Sequence, residues 1–222
     1  DEAMILQVMA LGSPTHPATG DVWGVWTAGY KWGDFQGQTY LGFAPLFGHQ
    51  YSHVWIDYRG INEPWLQAKG IDYFENSRRA TLAQRAYAVA NPGGWADYGD
   101  SLWGLSACDG PLDGKLTIEG REREFHTYEA RGASHDRVTD DGTITPTAAG
   151  GSIAFAPEVV LPTLMAMRAR YGEPLFGRYG FLDALNPTLK TATAVHHGRV
   201  DPRLGWFDTD YLGIDQGPIL LM

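Results

Sequence analysis

Repeatedly along its length, the chain passes from a loop rich in acids, histidine or tryptophan into the first turn of an apolar helical stretch. The clearest such stretch is residues 71–90, where Phe74, Ala80, Leu82, Ala83, Ala86, Tyr87 and Ala90 recur at helical spacing until Asn91-Pro92-Gly93-Gly94 stops the pattern. Residues 3–11 read as a short helix, apolar nearly all round and hence buried, with Asp1 and Glu2 at its start and Gly12 and Pro14 at its end. Further helices are predicted over 21–30, 46–58, 157–171 and 180–186 and from Pro218 onward; Pro157-Glu158 opens the third and Gly172 closes it. Residues 95–151 read instead as an insertion or long site-forming loop, with short alternating stretches such as 115–118. Buried helices that start at one end of a toroid gather their polar loops into one bowl, where positive helix ends favour carboxylates and hydroxyls. The expected class is all-α.

Charge narrows the partner. With 17 Lys plus Arg against 26 Asp plus Glu, the net charge of −9 repels nucleic-acid phosphate and anionic lipid. A neutral or cationic partner fits better. The eight Trp and eleven Tyr offer flat faces suited to sugar rings, although the same rings also fill cores. Cys108 is the only cysteine, so no intrachain disulfide forms. The longest apolar run, 3–11, is too short for a membrane span, and neither a Gly-x-Gly-x-x-Gly nor a P-loop pattern is present.

Seven blocks cluster polar and aromatic groups more tightly than a core requires. They are Asp1-Glu2-Ala3-Met4 with Leu11-Gly12-Ser13-Pro14-Thr15-His16; Leu46-Phe47-Gly48-His49-Gln50-Tyr51-Ser52-His53 with Trp55-Ile56-Asp57-Tyr58-Arg59-Gly60; Asp72-Tyr73-Phe74-Glu75-Asn76-Ser77-Arg78-Arg79; Trp103-Gly104-Leu105-Ser106-Ala107-Cys108-Asp109-Gly110-Pro111; Asp141-Gly142-Thr143-Ile144; Tyr179-Gly180-Phe181-Leu182-Asp183-Ala184-Leu185-Asn186; and Ile214-Asp215-Gln216-Gly217-Pro218. In that order they resemble the bacterial glycoamylase-like domain, the group that contains the endo-β-1,2-glucanases of glycoside hydrolase family 144. The resemblance implies an (α/α)6 toroid, with residues 1–222 as the C-terminal portion of a catalytic domain cut at both ends. It also implies hydrolysis of a neutral glucan, foremost β-1,2-glucan, with inversion, in the periplasm or outside the cell. A transglycosylase domain of a cyclic glucan synthase and a non-catalytic carbohydrate-binding piece share most of those features.

Within that resemblance, Glu2 takes the place of the general acid; on residues alone it reads equally as a helix-start acid stabilising its own helix. Asp57 and Asp109 are the candidates for water activation, each in a loop beside an aromatic and small residues, and each equally able to pair with a cation or cap a helix. Tyr51, Trp55, Trp103 and Trp206 are candidate sugar platforms, with His49, His53, Asp141 and Asp215 as hydroxyl partners. His49 and His53 have the i, i+4 spacing of a zinc hydrolase, but Gln50 stands where its glutamate belongs. Asp208-Thr209-Asp210 with Asp215 departs from a calcium-loop spacing. Carboxylates suffice for this chemistry, so no metal or other cofactor is expected.

Overall fold

The computed structural model describes residues 2–61, 63–191 and 194–222; Asp1, one of the two acids expected at the first helix, lies outside them. The chain is not an all-α toroid. It is 33% helical and 21% strand, with several small antiparallel sheets. In chain order the elements are α1 (Met4–Leu11), α2 (Val22–Thr27), β1 (Trp32–Phe35), β2 (Gln38–Leu41), α3 (Phe47–Gln50), a 3-10 turn (Tyr51–Val54), α4 (Pro64–Gln67) and α5 (Tyr73–Ala90). Then come β3 (Ala107–Asp109), β4 (Gly114–Ile118), β5 (Arg121–Phe125), β6 (Tyr128–Ala130), β7 (Gly132–Ser134), β8 (Arg137–Thr139), α6 (Pro146–Gly150) and α7 (Pro157–Tyr171). The remainder is β9 (Phe176–Gly177), β10 (Gly180–Phe181), β11 (Leu185–Asn186), β12 (Arg199–Asp201), β13 (Gly205–Phe207) and α8 (Gly213–Leu221).

α5 and α7 form where the periodicity predicts them. Asp72 caps α5 by accepting from the Glu75 N–H at 2.8 Å, and the left-handed Asn91 ends it, its side chain accepting from the Trp95 N–H at 2.8 Å. The buried stripe of α5 mixes Ala80, Ala83 and Tyr87 with Asn76, Ser77 and Gln84. Each of these polar side chains binds backbone: Asn76 accepts from the Leu41 N–H of β2 at 2.8 Å, Ser77 donates to the His49 carbonyl of α3 at 2.7 Å, and Gln84 accepts from the Leu105 N–H at 2.7 Å and donates to its carbonyl at 2.9 Å. β2, α3 and the loop at Leu105 are thereby fixed to the helix through paired buried groups.

The segment read as a loop, 95–151, holds three antiparallel pairings, β3–β6, β4–β5 and β7–β8, followed by α6. Its strands are too short for a period-two pattern to stand out. In β4–β5, Glu119 and Gly120 both take positive φ, 51° and 76°, which suits a two-residue hairpin turn matched to strand twist. The helix expected at 180–186 is replaced by β10 and β11, the latter joining β13 and β12 in a three-stranded sheet. Gly205, at φ 113°, lets β13 approach Asn186, where a Cβ would collide with its carbonyl.

The main core runs between α5, α7 and this sheet, around Trp103, Leu105, Ile144 and Phe207. A second, aromatic cluster joins Met4, Tyr58, Leu66 and Tyr73 to Trp23, Trp26, Trp32 and Trp65. α1 buries only Met4; Leu6 and Met9 are exposed, contrary to the expectation of a fully buried helix. Among the described residues no helix is long and apolar enough to cross a membrane.

Candidate active site

Backbone pairing assembles a set of aspartates far apart in sequence. The Asp183 N–H donates to the Asp210 carbonyl at 3.0 Å, and the Asp208 N–H to the Ala184 carbonyl at 2.9 Å, so the turn after β10 lies against the segment after β13. The Asp109 N–H, at the end of β3, donates to Asp183 Oδ2 at 2.9 Å. Asp215, in the first turn of α8, faces the same group, and α8 is tied to β10 by Gln216 Nε2 donating to the Phe181 carbonyl at 2.6 Å. Burial drives the Asp183 carboxyl well above the usual range; the Asp109 hydrogen bond opposes that rise, and the charges of Asp215 and Asp208 add to it. Burial also raises Asp215.

Beside this group a cavity of about 290 Å³ is lined by Tyr51, Cys108, Tyr128, Thr147, Asp215 and Pro218, among others. Tyr128 stands opposite Asp109 in the β3–β6 ladder and is 63% exposed, an aromatic face at the rim. Tyr51 begins the 3-10 turn, and Ser52 of the same turn donates through Oγ to the Glu2 carbonyl at 3.4 Å. α8 packs against that turn as well. Glu2 precedes Ala3, the N-cap of α1, and the N-cap makes no side-chain capping bond, so Glu2 is an exposed acid outside the helix rather than part of its first turn.

Several residues singled out from the sequence lie elsewhere. Trp103 and Trp206 are fully buried, donating through Nε1 to Thr163 Oγ1 and to the His197 carbonyl, both at 2.8 Å, so neither presents a face to a sugar. Asp141 is buried too, gripped by Arg131 at 2.7 Å through each oxygen; burial would raise its pKa, and Arg131 with Thr143 pulls it below the usual range. This pair holds the fold rather than a substrate hydroxyl. Asp57 is exposed and takes Arg59 on both oxygens, which holds its pKa down to about 2 and occupies the atoms a water would need. Trp55 is exposed beside Asp57 in a separate depression that Phe155 and Leu221 also line.

His49 and His53 line a further cavity, of about 190 Å³, with Lys31, Tyr73, Asn76 and Ser77. His49 Nε2 meets the Phe43 carbonyl at 3.1 Å, and His53 Nε2 meets Ser77 Oγ at 3.2 Å. Burial pushes their pKa values down to about 3 and about 4. Among the described residues no third His, Cys or carboxylate joins either one in a metal-holding group. Of the sequence candidates, the structure therefore brings Asp109, Asp215 and Tyr51 together, with Glu2 on the neighbouring turn. It adds Tyr128, Asp183, Asp208 and Asp210. The Asp183 block and the Asp208-Thr209-Asp210 run were visible as motifs; Tyr128 carried no signal.

The family model described as "Putative glucoamylase" matches residues 1–222. The chain belongs to the glycoamylase family. This glycoamylase chain is 28% identical over 178 residues to the exo β-1,2-glucooligosaccharide sophorohydrolase (non-reducing end) of Parabacteroides distasonis, a match covering 80% of this chain and 20% of that protein. It superposes over its whole length on 47% of a "putative glucoamylase" from Bacteroides uniformis, with a TM-score of 0.76 and 32% identity. It does the same on 47% of the endo-β-1,2-glucanase from Chitinophaga pinensis in complex with sophorotriose and glucose, with a TM-score of 0.75 and 27% identity. The chain thus spans about one fifth of that curated relative and about half of each of these solved structures.

Proposed function

We propose that this glycoamylase chain supplies the acid and the water-activating carboxylate of a glycoside hydrolase that cleaves a neutral β-1,2-linked glucan. The observation that supports this best is the shared footing of Glu2 and Asp215. The Glu2 backbone and the Asp215 helix rest on one 3-10 turn, whose Tyr51 lines the aspartate-side cavity. Glycoside hydrolysis needs one carboxylic acid to protonate the leaving oxygen and a second group to take a proton from water. Glu2, exposed and outside its helix, is the donor. Asp215, on the cavity wall, is the acceptor, with Asp183 buried behind it. Tyr51 and Tyr128 supply ring faces. The relatives' named activities support the β-1,2 linkage, and a net charge of −9 suits an uncharged substrate. An inverting outcome and a periplasmic or extracellular location belong to the same proposal.

The test is to incubate the full-length protein with β-1,2-glucan and count reducing ends. Hydrolysis raises that count, and a constant count with changed chain lengths would replace hydrolysis by transglycosylation. Glu2→Gln keeps the shape but cannot deliver a proton, so turnover falls about 10²–10⁴-fold while calorimetric binding stays within several-fold. Wild-type turnover in that variant would move the acid elsewhere.

A further inference from the structure

Asp208 is fully buried, and its Oδ1 accepts from the Thr209 N–H at 2.8 Å. Its other oxygen, Oδ2, has no hydrogen-bond partner among the described residues. Carboxylate oxygens of Asp109, Asp208 and Asp210 all lie within 4.8 Å of one another, and among the described residues none of the three forms an ion pair. A buried carboxylate facing two others is costly unless a cation or several donors meet it. Among the described residues one donor meets Asp208, the Thr209 N–H.

We infer that Asp109, Asp208 and Asp210 bind a hard divalent cation of the calcium class. Two oxygens on opposite sides of a calcium ion, each about 2.3–2.6 Å from it, stand roughly 5 Å apart, so the spread of these three carboxylates fits around one ion. The backbone fixes the ligands beforehand: Asp109 through its bond to Asp183, Asp208 through Ala184, and Asp210 through its carbonyl. Asp210 is exposed, which leaves room for waters to complete the six to eight oxygens typical of calcium. Ligands from two separate segments suit this adaptable coordination better than the near-ideal octahedron magnesium demands. The ion offsets the repulsion of the cluster and pins the end of β3 to the segment after β13, beside Asp183 and Asp215. Binding requires no turnover, so the inference stands or falls separately from the proposed hydrolysis.

The chain is stripped with a chelator, exchanged into chelator-free buffer and titrated with CaCl₂ by calorimetry, with thermal melts in parallel. The expected result is one saturable site with a dissociation constant on the order of 10⁻⁶–10⁻³ M, a raised melting temperature and weaker binding of MgCl₂. Asp208→Asn and Asp210→Asn each weaken calcium binding at least about tenfold, through loss of one charged ligand. Asp210 is exposed, so its variant keeps the test open even if Asp208→Asn does not fold. Absence of a saturable heat and of a melting shift overturns the site, as does unchanged affinity in Asp210→Asn. Sophorose is the second probe. Stabilisation of the calcium-free chain by sophorose, with no response to CaCl₂, would show that sugar hydroxyls take the ion's place and would likewise overturn the inference.

Discussion

The two cavities bury titratable groups in opposite ways. Around His49 and His53 the chain meets each imidazole with a carbonyl or hydroxyl of its own, and burial keeps both rings neutral. Near that side, among the described residues, Trp23 Nε1, Tyr58 OH and His135 Nε2 are without a partner. In the aspartate group, Asp183 and Asp208 are almost fully enclosed, and each has one carboxyl oxygen without a partner among the described residues. A neutral imidazole can be satisfied by one donor and one acceptor, whereas burial beside other carboxyls raises Asp183 and Asp208 above the usual range, because the ionised form would need several donors there. The histidine cavity thus meets its two buried rings with partners of its own, and the aspartate group crowds buried carboxyls together with few donors.

That contrast breaks most visibly at Asp215. Asp215→Asn in the full-length protein is expected to lower turnover on β-1,2-glucan about 10²-fold or more, whereas His53→Gln, on the histidine side, changes it far less. Equal losses in the two variants would erase the distinction between the cavities.

The next effect is on stability. Arg131 is fully enclosed between Asp141, the Cys108 carbonyl and the His126 carbonyl, so it holds β3 and its Asp109 in place. Arg131→Met leaves Asp141 buried without its cation and is expected to cost about 3–5 kcal/mol in chemical denaturation. A loss below about 1 kcal/mol, the worth of a surface pair, would show that this ion pair does not organise the aspartate side.

Acid sharpens the histidine side. The unfolded chain takes up protons near pH 6.5, while folded His49 and His53 resist until about pH 3 and about pH 4. The stability they contribute is complete above pH 6.5 and is lost as the pH falls toward those values, by at most about 1.4 kcal/mol per pH unit for each ring. Urea midpoints of the wild type and of His49→Gln, compared from pH 7.5 down to pH 5, isolate this contribution. The variant is expected to show the shallower decline, and parallel curves would mean that His49 is not buried neutral. The smallest effect falls at Asp57, whose exposed pairing with Arg59 makes Asp57→Asn close to silent in both turnover and melting temperature.

Local chemistry made part of this molecule legible in advance. The apolar period of 71–90 and the stop at Asn91 mark α5, and Pro157 with Gly172 bounds α7, because turns and helix ends act over a few residues. The ordered blocks identify the glycoamylase family, and Asp109 and Asp215 among them reach the candidate site. The segments at 107–139 and 180–207 were harder, because their strands of two to five residues draw stability from partners distant in sequence rather than from a local period. Nothing in the sequence around Trp103 and Trp206 distinguishes a sugar platform from a core ring, since burial depends on what packs above them. Nor could it tell that Asp141 would meet Arg131, or that Asp57 would be occupied by Arg59. Sequence alone determined α5, α7 and the family, whereas α6 arises inside the segment read as a loop and the last helix begins at Gly213 rather than at Pro218. The joining of Asp183 to Asp210, and of Asp208 to Ala184, was decided by tertiary structure, because only long-range backbone hydrogen bonds bring those carboxylates within reach of one another.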